Sequence, residues 1–214
     1  MSSTLASVLS GSFMQACRSA LPQVELTLIA EDSATLRERV VAQTLDLAIL
    51  FDEEAGATLL RRPLFRQRLY LIDRKGTSRR RTKSLSLAQV GLLPLVLPAV
   101  PNQTRTLLDR AFEVAGVVPT VVAQANLLHG MLSAVHAGVG ATVLPLGELS
   151  HLPGGAETTA IAIEPPIYQT AQIVSSPALS LSRAGEAVQA LLMRFIERYH
   201  DEGAPPGMAR IEKE

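Results

Sequence analysis

An α/β fold built as two successive strand–helix lobes is predicted by three features of the sequence. Stripes of apolar residues at helical spacing alternate with short apolar runs along nearly the whole chain. Runs such as Leu45–Phe51 (LDLAILF) and Pro94–Pro98 (PLVLP) are almost continuous, as in parallel strands covered on both faces. A polar, basic segment, Asp73–Lys83, divides the alternation into two halves. The 214 residues allow one large domain or two small ones, and 47% hydrophobic against 19% charged residues describes a folded chain, not a disordered one.

The elements follow in order. Leu5, Val8, Leu9, Phe13, Ala16, Cys17 and Ala20 form one apolar stripe, so a helix is predicted from a Ser2 or Ser3 cap to Pro22. Cys17 lies in that stripe and reads as a small core residue rather than a nucleophile. Val24–Leu28 alternates as a strand, and Ser33 is placed to cap a helix over Ala34–Ala42, where Leu36 and Val40 share a face. Leu45–Phe51, Leu59–Leu64 and Arg68–Ile72 are predicted strands. The run DRKGTSRRRTK lacks interleaved aromatics, and the reading as a solvated loop outweighs that as an anion or nucleic-acid patch.

The second half repeats the pattern. PLVLP is a buried strand, Thr104–Ala115 a helix with Leu108 and Phe112 inward and Gly116 as its stop, and Thr120–Ala125 a strand. In Leu127–Leu146, Leu128, Met131, Leu132 and Val135 define a helix face, Gly138 and Gly140 a turn, and Ala141–Leu144 a strand closed by Pro145. The glycines follow a helix and precede a strand, the reverse of a dinucleotide-binding loop. Strands near Ala160–Ile163 and Ile167–Val174 lead to a long helix bearing Ala184, Val188, Leu191, Leu192, Phe195 and Tyr199, and the tail from Asp201 is predicted to fray.

Charge and composition exclude several functions. Twenty basic residues balance twenty acidic ones, which argues against a nucleic-acid surface on this piece. One cysteine rules out a disulfide framework and fits a cytoplasmic setting. No apolar run reaches membrane-spanning length and no signal peptide is visible. The four histidines, His129, His136, His151 and His200, show no metal-ligand spacing with Cys, Asp or Glu. Neither a G-x-S-x-G elbow nor a phosphate-binding loop is present, so no catalysis, cofactor or metal is expected.

The order of motifs resembles the effector-binding domain of LysR-type transcriptional regulators. The matching features are the Ser2–Ser3–Thr4 helix start, Pro22, the Val24–Ile29 strand, Ser33, LDLAI at Leu45–Ile49, Pro63–Leu64 with Leu69–Ile72, and AGxGxxxLP at Ala137–Pro145. DLAILFD, LYLI and PLVLP are most similar to the branch containing the nitrogen assimilation control regulators. The resemblance implies a type II periplasmic-binding-protein-like fold: two Rossmann-like lobes joined by two crossover strands, with a ligand cleft between them. Lobe I would comprise residues 1–73 plus 168–214 and lobe II residues 74–167. Two departures stand out. No helix-turn-helix or linker helix is seen, and the chain opens on the capped helix, so lobe I is expected to lack its first strand and to leave backbone groups unpaired.

Candidate binding residues follow from the rule that ligands of open α/β lobes sit at strand carboxyl ends, where helix N-termini expose free N–H groups. These are Ser3 and Thr4, Ser33, Asn102, Thr104 and Arg105, Asn126, and Thr142 from the strand that the glycine turn feeds. Each has a plainer reading: Ser3 and Ser33 as caps worth about 1 kcal/mol, Arg105 as a surface residue, Thr142 as bonded to a neighbouring carbonyl. Ser3, Thr4 and Thr142 gain most from the resemblance, and Asp32 would oppose a purely anionic effector. The function implied is small-molecule sensing between the lobes together with assembly as a homodimer or homotetramer, with the helix Ala34–Ala42 expected at the interface. DNA would be reached only through the helix-turn-helix domain outside this chain. A transport solute-binding protein of the same fold is the alternative. An enzyme of this architecture would need a positioned acid or base that the sequence does not offer.

Overall fold

Two sets of apolar faces, rather than one, are buried by this chain. The computed structural model describes residues 1–51, 59–76, 83–148, 157–178, 180–202, 204 and 206–211. Among them the chain divides into one unit of Met1–Arg66 with Thr170–Glu214 and a second of Gln67–Gln169. The sequence expectation puts the lobe boundaries at 73/74 and 167/168, with the basic run as the divider. The chain instead changes unit within two strands, β2 (Leu60–Arg74) and at the start of β8 (Tyr168–Ser175).

In the first unit, α1 (Ser3–Ala20) buries Leu5, Leu9, Phe13 and Cys17, the stripe that the spacing predicts. It shares a core with Leu191, Leu192 and Ile196 of α6 (Arg183–Asp201) and with Ile49 and Phe51 of β1 (Leu47–Phe51). Alternate β1 residues Ala48 and Leu50 face the other way, onto Leu36 and Val40 of α2 (Ser33–Val41). Burial on both faces explains the continuous apolar run. It says nothing about direction, and β1 pairs antiparallel with β8, Ile49 opposite Ile173.

The predicted strand Val24–Leu28 forms no ladder. Among the described residues the backbone groups of Glu25–Leu28 make no hydrogen bond, while the Met1 ammonium donates to the Ile29 carbonyl at 2.7 Å. Ser2 forms a parallel bridge to Glu31 and donates its N–H to the Ile49 carbonyl at 2.8 Å.

In the second unit, β2 pairs antiparallel with β6 (Thr142–Pro145) and with β7 (Thr158–Glu164), and β7 pairs parallel with β3 (Ser84–Ser86). A parallel pair, β4 (Leu95–Leu97) and β5 (Val121–Gln124), is bridged to the first residue before β6 through Leu95 and Ala141. The ladders are therefore mixed, not largely parallel as continuous apolar runs suggest. Leu59–Leu64 and Arg68–Ile72, read as separate strands, are almost entirely one 15-residue strand. Helix α4 (Gln103–Val114) lays Leu108 and Phe112 on Leu69 and Leu71, and α5 (Leu128–His136) lays Leu128, Met131 and Leu132 on Ile72 and Leu144.

The glycine turn has two distinct causes. Gly138 stops α5 with φ +77°, a left-handed conformation that disfavours side chains. At Gly140 a Cβ would lie 2.4 Å from the Pro94 carbonyl oxygen, so the residue is needed for close approach. That approach lets Ala141 donate its N–H to Pro94 at 2.8 Å. The short α3 (Leu87–Gly91), capped reciprocally by Ser86 and Gln89, and β9 (Met208–Arg210), which pairs with β2 in the segment expected to fray, were not evident in the sequence. Residues 77–82 of the basic run lie outside the described residues.

Candidate functional site

Helix α1 begins without a side-chain cap. Ser2 occupies the capping position, yet its hydroxyl makes no capping bond. That hydroxyl is buried and its Oγ has no partner, in a residue only 5% exposed. The backbone around it is held firmly: the Ser2 carbonyl accepts from Ala6 at 2.9 Å and the Ser3 N–H donates to Glu31 at 3.1 Å. Among the described residues the N–H groups of Thr4 and Leu5 are unpaired. Ser3 and Thr4, half-buried, open this helix, so the start of α1 combines a buried hydroxyl with free helix N–H groups.

The start of α2 is arranged differently from the expectation. Asp32, not Ser33, is the cap: its Oδ1 accepts from the Thr35 N–H at 2.9 Å and its Oδ2 from the Thr35 hydroxyl at 2.7 Å. Burial works against the charged form, but hydrogen bonds from Thr35 and the Ala34 N–H prevail and hold the Asp32 carboxyl below its ordinary pKa. The Ser33 Oγ instead accepts from the Phe51 N–H at 3.2 Å, tying α2 to β1 in a buried position.

In the second unit Asn102, Thr104 and Arg105 come together at the start of α4. Asn102 is the cap, accepting from the Arg105 N–H at 3.1 Å. Arg105 turns along its own helix: Nε donates to both Asp109 oxygens at 2.8 and 2.9 Å, and a terminal nitrogen donates to the Pro98 carbonyl at 3.0 Å and to Gln124 Oε1 at 3.1 Å. Its charge is neutralised locally. Thr104 is buried and its hydroxyl donates to Gln169 Oε1 at 2.8 Å.

Among the described residues, Asn126 and Thr142 make no hydrogen bond to these. Asn126 is exposed in the turn before α5. Thr142 is fully enclosed, its Oγ1 3.8 Å from the Met131 sulfur. Sequence reasoning named Ser2 only as part of the Ser2–Ser3–Thr4 helix start and passed over Gln169 and Gln67, whose Nε2 is buried without a partner. A signal for Gln67 exists: Phe65, Gln67, Leu69 and Leu71 share one face of β2, and the glutamine interrupts an otherwise apolar row. Among the described residues no group of three or more His, Cys, Asp or Glu is placed to hold a metal ion, and no helix is long and apolar enough to cross a membrane.

The description "LysR substrate binding domain" matches residues 1–198. The chain belongs to the LysR substrate-binding-domain family. It is 27% identical over 196 residues to the nitrogen assimilation regulatory protein nac of Klebsiella aerogenes, covering 91% of this chain and 63% of that protein. The nac protein of Escherichia coli K12 is 25% identical over 194 residues, with 90% and 63% covered. The chain thus spans about 63% of the length of these curated relatives. Among solved structures, the regulatory domain of CcmR from Synechocystis PCC6803 in complex with 2-PG superimposes with a TM-score of 0.84 at 18% identity, covering 92% of this chain and 94% of that one. The effector-binding domain of QuiR in complex with shikimate gives 0.80 at 15% identity, with 92% and 95% covered. These likenesses carry the fold, the type II periplasmic-binding-protein-like architecture of LysR effector-binding domains. The family and the relatives place this LysR domain with effector-sensing regulatory domains and not with transport solute-binding proteins.

Proposed function

We propose that this LysR domain binds a small polar effector at the start of α1 and passes the binding on to a separate DNA-binding domain of the parent protein. One observation carries the reading: the Ser2 hydroxyl is buried without a partner at a helix N-terminus whose Thr4 and Leu5 N–H groups are also unpaired. An unsatisfied buried hydroxyl costs about 1–3 kcal/mol, and a ligand oxygen accepting from it and from the helix would recover that cost. Ser3 and Thr4 are the adjoining candidates. Ser33, bonded to Phe51, and Thr142, enclosed beside Met131, are assigned to structure.

Ser2 bridges Glu31, whose carboxylate has one oxygen paired with Arg39 at 3.2 Å and the other buried without a partner. A ligand carrying a donor or a positive group beside its acceptor oxygen, such as an amino acid or a hydroxy acid, suits that surrounding better than a polyanion. Binding would favour one conformation by differential affinity and so alter how the parent protein engages DNA. Assembly as a homodimer or homotetramer belongs to the same reading. No acid–base or nucleophilic step is assigned to the domain.

Titration calorimetry tests the site. For the tightest-binding compound in a panel of amino acids, hydroxy acids and dicarboxylates, Ser2→Ala is expected to weaken binding about tenfold, the equivalent of one hydrogen bond of roughly 1.4 kcal/mol. Unchanged affinity in a normally folded Ser2→Ala protein would remove the helix start from the site.

A further inference from the structure

The polar tail that follows α6 carries Pro and Gly, yet its β9 pairs with β2. The ladders of β2 to β6 and β7 use Leu69–Arg74, so β9 lies along the earlier part of β2, in the first unit. Three residues make a ladder too short to hold itself. Two side chains of β9 supply further contacts. Met208 packs on the core that α1, α6 and β1 share. Arg210 reaches the last turn of α6, where its Nε donates to His200 Nδ1 at 3.1 Å and a terminal nitrogen pairs with the Asp201 carboxylate.

The bond to His200 requires one protonation state. A guanidinium keeps all its protons, so Nδ1 must supply the lone pair, and the imidazole is neutral with its hydrogen on Nε2. A second proton can go only to Nδ1, where it removes the acceptor and sets a positive charge against Arg210. The C-terminal end of α6 favours that cation. Glu197, Arg198, Asp201 and Glu202 flank His200 along the chain. The elements packed on the same core bring Arg18 and buried Cys17 from α1 and Arg61, Arg62 and Arg66 from the earlier part of β2, while β1 and β8 carry no charged side chain. The Met1 ammonium, which burial lowers to about 6, donates to Ile29 instead.

We infer that β9 is a pH-operated strap, docked on β2 while His200 is neutral and released when His200 takes a proton. Magnitudes favour so small a trigger. The side chains of Arg210 and Asp201 are 57% and 62% exposed, and an ion pair that open to water contributes little. A short terminal strand also opens at the low end of local stability. Exchanging one hydrogen bond for a like-charge contact is then enough to reverse the balance. Release frees an edge of β2 and withdraws Met208 from the core.

Methyl and amide NMR of the 214-residue chain tests the strap. The Met208 methyl and the Ala209 and Arg210 amides report on β9, and Leu191, Leu192 and Ile196 report on the core. In wild type, lowering the pH from about 8 to about 5, the range in which histidines charge, should move the β9 signals to flexible-tail values in step with the His200 ring protons. The core signals should hold. His200→Gln offers an acceptor oxygen at every pH and should keep β9 docked throughout. His200→Lys, charged across the whole range, should release it even at about pH 8. Three results overturn the inference: β9 signals that acid leaves unmoved in wild type, a docked β9 in His200→Lys, or an acid release that persists in His200→Gln. The last would assign the release to Asp201 or to the Met1 ammonium.

Discussion

The Thr104 hydroxyl donates to Gln169 Oε1 at 2.8 Å, joining residues 65 apart in sequence within a buried setting. The bond anchors the start of α4 to the strand that leaves the second unit. Removing one partner leaves the other buried and unpaired, which costs about 1–3 kcal/mol. Thr104→Val is expected to lower stability by that amount in urea unfolding, whereas Thr104→Ser, which keeps the hydroxyl, should lose less than half as much. A larger loss in Thr104→Ser than in Thr104→Val would mean that methyl packing, and not the hydroxyl, carries the effect.

The cap of α2 is expected to give a pH-dependent stability. Hydrogen bonds hold the Asp32 carboxyl below its unfolded pKa, so its contribution is complete above the unfolded value, near 4, and disappears as pH falls through the lower folded value. Asp32→Ala should therefore cost about 1 kcal/mol at pH 7, and the gap between the two proteins should narrow below pH 4. Stability curves against pH for both proteins check this. A gap that widens on acidification would have the wrong sign for a carboxylate cap.

Two glycines make opposite predictions. At Gly140 a Cβ would meet the Pro94 backbone at 2.4 Å, so Gly140→Ala should destabilise by about 1–3 kcal/mol or more. Exposed Gly11, within α1, has nothing within 4 Å of its Cβ position. Gly11→Ala should stabilise by roughly 0.5–1 kcal/mol through reduced chain entropy. Melting temperatures of the two variants should move apart from wild type in opposite directions.

Cys17 is 3% exposed in the core of the first unit, and burial pushes its thiol pKa up. Both effects suppress thiolate chemistry. An aromatic disulfide reagent should leave the native protein unmodified for hours at pH 8 and react with one thiol on unfolding in guanidinium. Rapid native labelling would contradict the packing of α1 against α6.

Periodicity revealed the helices because each one buries a stripe: Leu108 with Phe112, and Leu5 with Leu9 and Phe13, are both spacing and core. The same logic misjudged strand direction. Ala48–Phe51 is buried on both faces, and burial does not distinguish a parallel from an antiparallel partner. Ladder membership of Val24–Leu28 was also illegible, since alternation records a face and not a neighbour. At the candidate sites, residue type pointed to helix starts, but competition among neighbours decided the roles. Asp32 outcompetes Ser33 for the cap, and Asp109 captures Arg105. Gln67 and Gln169 were visible only as polar interruptions, and their meaning depends on the register between β2 and β8.

The measurement that bears most directly on effector sensing is the melting temperature of this chain across a panel of amino acids, hydroxy acids, dicarboxylates and inorganic anions. A ligand at 100 times its Kd adds about 2.7 kcal/mol, which for a chain of this size raises the melting temperature by roughly 5–10 °C. The account predicts such a rise for at least one amino acid or hydroxy acid, lost in Ser2→Ala, with inorganic anions giving little. A rise that Ser2→Ala leaves intact, or a cooperative melt that no compound in the panel moves, would contradict it.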